Sequence, residues 1–133
     1  MDRALIAIVR FSPLAVSNGV DRLEAFATSP VRDATNGGEL LAAIHSLTGC
    51  PIKVLDGQEE ALLSTQALQH RFHVEDGIIA DLGGGSLELA ALRKGEVKQM
   101  ISLPLGTMRL QAKMYGDMVK MKKEICATLD EID

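Results

Sequence analysis

The chain of 133 residues has no tryptophan, one tyrosine and three phenylalanines. It therefore lacks the aromatic platforms on which single-stranded nucleic-acid binders stack bases. A formal charge of −4 removes the basic surface that neutralises a phosphate backbone, so no nucleic-acid partner is expected. There are two cysteines, Cys50 and Cys126, far apart and without a close-spaced Cys/His cluster. They are expected to be reduced thiols in a cytoplasmic protein. No apolar run approaches the roughly 18 residues of a membrane span, and no charged leader followed by an apolar stretch opens the chain, so no membrane partner is expected. His70 and His73 stand three apart without a third ligand, which argues against zinc.

What the chain does have is apolar content, 47% of its residues, enough for one small domain or two partial ones. Ala4 to Phe11 reads as a buried helix that Pro13 kinks or ends. Leu23 to Ala27 reads as a short strand. Asn36 stands three residues before Glu39, so a capped helix is predicted from there through Leu47, with Gly49 as its stop. A strand over Ile52 to Leu55 precedes a helix from Gln58 that carries Ala61, Leu62, Thr65, Leu68 and Phe72 on one face. Ile78 to Leu82, Leu87 to Leu92 and Val97 to Ser102 then form a meander, with Lys94-Gly95 at its second turn. The order is that of an α/β protein. The expected domains are 1–73 and 74–133. Five methionines, Met100, Met108, Met114, Met118 and Met121, are expected to fill packing gaps. The lysines Lys113, Lys120, Lys122 and Lys123 are expected to form a solvated helix face.

The run from Ile78 to Leu89 holds the most chemistry. An apolar strand ends in Asp81, the glycines Gly83, Gly84 and Gly85 follow, and Ser86 precedes a second alternating strand that carries Glu88. Glycines tolerate positive φ and let successive N–H groups face one concave side, where an anion can approach without meeting a Cβ. Carboxylates beside a phosphate repel it unless a cation lies between them, and Mg²⁺ prefers such oxygen ligands together with phosphates. A tight turn between two half-buried strands explains the same residues without any ligand.

Three further segments surround this hairpin: Ala27-Thr28-Ser29-Pro30-Val31-Arg32-Asp33-Ala34-Thr35-Asn36, Leu55-Asp56-Gly57-Gln58-Glu59-Glu60-Ala61 and Ser102-Leu103-Pro104-Leu105-Gly106-Thr107-Met108-Arg109-Leu110. Taken in this order, the four motifs resemble the exopolyphosphatase and guanosine pentaphosphate phosphatase family, from about Arg3 to Leu110. The resemblance implies a partial actin-like (ribonuclease H-like) fold, with the end of a first domain joined to the start of a second. It also implies hydrolysis of a terminal phosphoanhydride by water, with polyphosphate or guanosine pentaphosphate as substrate and Mg²⁺ or a similar divalent cation as cofactor.

Residue by residue, the resemblance assigns Glu60 as the general base and leaves Glu59 in reserve. Gly83, Gly84, Gly85, Ser86 and Arg32 would hold phosphate, and Asp81 and Glu88 would organise the metal. From the residues alone, Glu59 and Glu60 are also acidic side chains favoured in the first turn of a helix. Arg32 can equally be a surface ion-pair partner of Asp33 or Glu39, Asn36 a helix cap, and Ser86 a turn-closing residue. Asp56 stands where relatives often carry serine, and Leu87 where threonine is common. The family's first phosphate loop, Asp-x-Gly-Ser-Asn-Ser, has no counterpart, and Ser17-Asn18 looks like a helix end. The chain alone is therefore expected to be weakly active or inactive, and to self-associate or be completed by another polypeptide. The alternatives are a binding or regulatory fragment that holds phosphate without cleaving it, and a nucleotide-dependent kinase or chaperone relative.

Overall fold

The expected strands and helices all form, in the expected order. The computed structural model describes residues 2–132. The elements are α1 (Asp2–Ser17), β1 (Ala25–Ala27), α2 (Ser29–Arg32), α3 (Gly37–Thr48), β2 (Ile52–Val54), α4 (Gly57–Arg71), β3 (Gly77–Leu82), β4 (Leu87–Arg93), β5 (Glu96–Leu103), α5 (Thr107–Met114) and α6 (Met118–Asp130). They gather into two compact units, Met1–Leu55 and Asp56–Asp133. This division precedes α4, whereas the expected family domains meet after residue 73. Helix α4 groups with the second sheet because its buried residues, Ala61 and Thr65, and its half-buried Leu68 face that sheet.

In the first unit β1 and β2 pair in parallel, with Ala25 opposite Ile52 and Ala27 opposite Val54. A parallel pair needs a crossover, which α2 and α3 supply. The two helices meet closely, since a Cβ on Gly37 would lie 2.2 Å from the Val31 carbonyl oxygen. Gly49 ends α3 in the left-handed conformation, at φ 66°. Two expectations fail here. Helix α1 is continuous through Pro13 but not buried: Ile6, Phe11, Leu14 and Val16 are all more than half exposed, because only one side of α1 meets α3. Asn36 is the N-cap of α3, yet its side chain makes no capping bond. The capping box forms instead at α4, where the Asp56 carboxylate accepts from the Glu59 N–H at 2.8 Å and the Glu59 carboxylate accepts from the Asp56 N–H at 3.1 Å.

The second unit is a β3-β4-β5 meander. Lys94 and Gly95, both at positive φ, make the tight turn between β4 and β5 that the right-handed twist of a hairpin favours. Alternation divides the sheet into two faces. Ile79, Ala90 and Leu92 form one core with Leu68 of α4, Val74, Val97 and Met100. Leu103, Leu105 and Leu110 form the other with Leu87, Leu89, Ile101 and, from α6, Met121 and Ile125. The sheet is thus packed by α4 on one face and by α5 and α6 on the other. Met100 and Met121 fill gaps as expected, but Met108 and Met118 are about 70% exposed. No helix among the described residues is long and apolar enough to cross a membrane.

Candidate functional site

The glycine loop between β3 and β4 is shaped by what lies behind it. The Gly83 N–H donates to the Ser86 carbonyl at 3.0 Å and closes the turn. The carbonyl oxygens of the loop face the start of α5. Thr107 N–H donates to Gly83 O at 3.0 Å, while Met108 and Arg109 N–H donate to Gly84 O at 2.9 and 3.0 Å. Arg109 Nε donates to Gly85 O at 2.6 Å. In a trans peptide the C=O and the following N–H point in opposite directions, and no described peptide is cis. Three carbonyls drawn towards α5 therefore turn the N–H groups of Gly84, Gly85 and Ser86 away from it, as a consecutive set on one side. That is the geometry of an anion nest.

The reason for the glycines differs from the expected one. Gly83 and Gly84 do not adopt positive φ. What the loop needs is proximity. A Cβ on Gly84 would stand 3.2 Å from the Met108 sulfur, and one on Gly106 would stand 2.2 to 2.4 Å from backbone atoms of Gly84 and Gly85. At Gly106 the two chain segments touch backbone to backbone, whereas at Gly84 the close neighbour is the Met108 side chain.

Asp81 and Glu88 are direct partners across the antiparallel β3–β4 pair, so both carboxylates project from the same face, the one that α4 covers. Like charges in this relationship destabilise a sheet, and Glu88 is only 4% exposed. Two hydroxyls answer them. Ser64 Oγ of α4 donates to Asp81 Oδ2 at 2.6 Å, and Ser102 Oγ of β5 donates to Glu88 Oε1 at 2.8 Å. Leu87 points to the opposite face and joins the α5–α6 core, as alternation requires.

Helix α4 brings Glu60 to this face. Residues three and four apart share one side of a helix, and α4 is pinned on both sides of Glu60. At Gly57 a Cβ would come 2.8 Å from the Ser102 Cβ, and at Ser64 the hydroxyl holds Asp81. Glu60 is half-buried between these points. Glu59 is committed to the capping box with Asp56, so the two adjacent glutamates have different surroundings.

Arg32 belongs to the first unit. Its Nη1 donates to the Leu55 carbonyl at 2.7 Å and its Nε lies 3.6 Å from Asp33 Oδ1, so the ion pair with Asp33 is present. Among the described residues no group of three or more His, Cys, Asp or Glu side chains is gathered around a metal position. His73 instead meets Glu75 at 3.2 Å, with both side chains exposed. Magnesium does not need such a group, because it keeps several waters and takes one or two carboxylates with phosphate oxygens. The hard oxygen pair Asp81 and Glu88 fits that donor set.

The sequence assigns Ser64 no role, Gly57, Ser102 and Arg109 none beyond their place in the quoted motifs, and Gly106 only a turn between β5 and the following helix. Spacing is a further signal, since Ser64 follows Glu60 by one helical turn and Ser102 stands opposite Glu88 in the β4–β5 pair.

Comparison with known proteins bears on this arrangement. The sequence model of the Ppx/GppA phosphatase family matches residues 1–133. The chain is 34% identical to Exopolyphosphatase 1 of Mycobacterium tuberculosis (strain H37Rv), over 99% of this chain and 39% of that protein. It is 36% identical to Exopolyphosphatase 1 of Mycobacterium leprae, over 99% and 40%. It thus spans about two fifths of the length of these curated relatives. The crystal structure of an exopolyphosphatase from Cytophaga hutchinsonii superposes with a TM-score of 0.89 at 28% identity, covering 97% of this chain and 44% of that one. A Ppx/GppA family member from Aquifex aeolicus superposes with a TM-score of 0.71 at 24% identity, over 92% and 42%, and speaks for the fold alone. The architecture is the expected α/β one, a part of the actin-like fold.

Proposed function

Because the chain belongs to the Ppx/GppA phosphatase family, we propose that it carries the phosphate-holding hairpin and the general base of a phosphoanhydride hydrolase acting on polyphosphate or guanosine pentaphosphate. The observation that supports this most directly is the Asp81–Glu88 pair beside a loop whose N–H groups point one way. Two carboxylates opposed on one face are costly to a fold unless a cation uses them, and Mg²⁺ takes one or two carboxylates together with phosphate oxygens and water.

In this reading the Gly84, Gly85 and Ser86 N–H groups hold the oxygens of a terminal phosphate. Asp81 and Glu88 would hold Mg²⁺, whose chemistry there would be neutralisation of phosphoryl charge. Glu60 accepts a proton from water as the water oxygen bonds to the terminal phosphorus; the bridging P–O bond breaks, its electron pair and oxygen stay with the shortened polyanion, and the attacked phosphoryl group is released as orthophosphate. Arg32 keeps the charge-neutralising role that the resemblance implies, on that ground alone. The free thiols Cys50 and Cys126 fit a reducing cytoplasmic setting.

The test is phosphate release from polyphosphate and from guanosine pentaphosphate with Mg²⁺, for the chain and for a longer polypeptide that carries it, each with and without Glu60→Gln. A loss of about 10²–10⁴-fold on substitution is expected of a general base. Release unaffected by Glu60→Gln would remove Glu60 from the mechanism, and bound polyphosphate without release in any form would replace hydrolysis by binding.

A further inference from the structure

We propose that Ser64 and Ser102 are positioning residues for the metal-holding carboxylates, and that Ser64 also sets the base-bearing helix in register with them. The inference rests on the functional reading of Asp81 and Glu88 given above.

Each carboxylate of the opposed pair accepts one hydroxyl hydrogen bond, at 2.6 Å for Asp81 and 2.8 Å for Glu88. The two donors come from different elements, α4 and β5, so the pair is held from both sides. An ionised carboxylate has about four lone-pair sites, and one short hydroxyl bond fixes its plane while leaving room for a cation. Outer-shell donors of this kind fix the orientation of metal ligands, and their loss typically costs about 10–100-fold in metal affinity.

Ser64 carries a second consequence through its position. It lies one turn beyond Glu60 on α4, and its hydroxyl reaches across to Asp81 on β3. Gly57, one turn before Glu60, lies against Ser102, which in turn holds Glu88. The helix that bears the proposed base is thus indexed at two points to the two proposed metal ligands. Glycine at 57 permits the second of these contacts, since a Cβ there would stand 3.2 Å from the Ser102 Oγ and displace it.

Mn²⁺ titrations followed by electron paramagnetic resonance test this without recourse to turnover. The proteins compared are the chain itself, Glu88→Gln, Ser64→Ala, Ser102→Ala, Ser64→Thr and Gly57→Ala, with the fold of each checked by circular dichroism. We expect one Mn²⁺ site that Glu88→Gln abolishes. Its Kd should rise about 10-fold or more in both alanine variants and in Gly57→Ala, and Ser64→Thr, which keeps the hydroxyl, should stay near the parent. A site lost in Glu88→Gln but unchanged in the serine variants would overturn the positioning role and leave the metal assignment standing. Weakening that Ser64→Thr shares would overturn it in favour of packing at that position. No Mn²⁺ site in the parent chain would overturn the metal assignment and this inference together.

Discussion

Gly106 lies so close to Gly85 that a β-carbon built on it would stand 2.2 Å from the Gly85 carbonyl carbon. Both partners are backbone, so neither can rotate away. Gly106→Ala should therefore move the loop or the start of α5 as a whole. Overpacking of this kind costs typically about 1–3 kcal/mol, occasionally more. Urea denaturation should show a loss in the upper part of that range, and Gly106→Ala should also weaken polyphosphate binding.

The two candidate caps give opposite expectations. Asp56 accepts a hydrogen bond in a full capping box, so Asp56→Ala should cost about 1 kcal/mol. Asn36 makes no side-chain cap, so Asn36→Ala should stay within about 0.5 kcal/mol of the parent. Parallel urea melts of the two variants check the difference.

Glu59 and Glu60 should separate in the same way. Glutamine at position 59 can still accept in a capping box, so Glu59→Gln should leave stability and phosphate release near the parent values. Glu60→Gln should spare stability and reduce release. Measuring melting and phosphate release on both variants distinguishes a helix cap from a proton acceptor.

Asp81→Asn removes one of two opposed charges while keeping an oxygen that can accept from Ser64. In chelator the variant should be more stable than the parent by about 0.2–1 kcal/mol, the scale of cross-strand pair effects. Added Mg²⁺ should reverse the order. The parent gains about 2.7 kcal/mol when free metal is a hundredfold above Kd, and the variant should gain far less. Thermal melts with and without Mg²⁺ read both effects.

Asp117 gives a pH dependence. Its carboxylate accepts from the Lys120 and Val119 N–H groups at 3.1 Å and lies 3.3 Å from Lys120 Nζ. The bonds from Lys120, first backbone and then side chain, hold its pKa below the ordinary 3.8. A carboxyl depressed in the folded state contributes fully above its unfolded value, and that contribution is lost as pH falls through the folded one. Helicity followed by circular dichroism should therefore decline as the pH is lowered below about 4. Asp117→Ala should lose the contribution at every pH and respond less to acid.

Much of this architecture was legible in the sequence, because β4 alternates strictly from Leu87 to Leu92, although a register shift at Ala91/Leu92 breaks the alternation of its partner β5. Each failure has its own physical cause. Asn36 has the right residue type and spacing for a cap, but its backbone stands at φ −105°, ψ 16° and not in the extended conformation of a capping residue, and no pattern reports that angle. The burial of α1 was overestimated because an apolar run shows what can be buried and not how much partner surface exists. At the site, Asp81, the glycines and Glu88 announced themselves as a local run. Ser64 and Ser102 did not, since each meets its carboxylate across a separation of 17 or 14 residues. Arg109 meets Gly85 across 24.

The contact between α5 and the glycine loop also governs which mutations the site can absorb. Thr107 and Met108 are exposed and hold the loop through their main-chain N–H groups, which nineteen of the twenty amino acids possess. Their side chains add less, a Thr107 hydroxyl bond to the same Gly83 carbonyl at 3.4 Å and the Met108 side chain lying over Gly84, so a substitution that keeps the N–H keeps the atoms that shape the loop. Proline is the exception, and an unusual one, because the first position of a helix ordinarily welcomes it. Thr107→Pro would suit α5 and still release the Gly83 carbonyl, so the helix would survive a change that the loop in front of it does not.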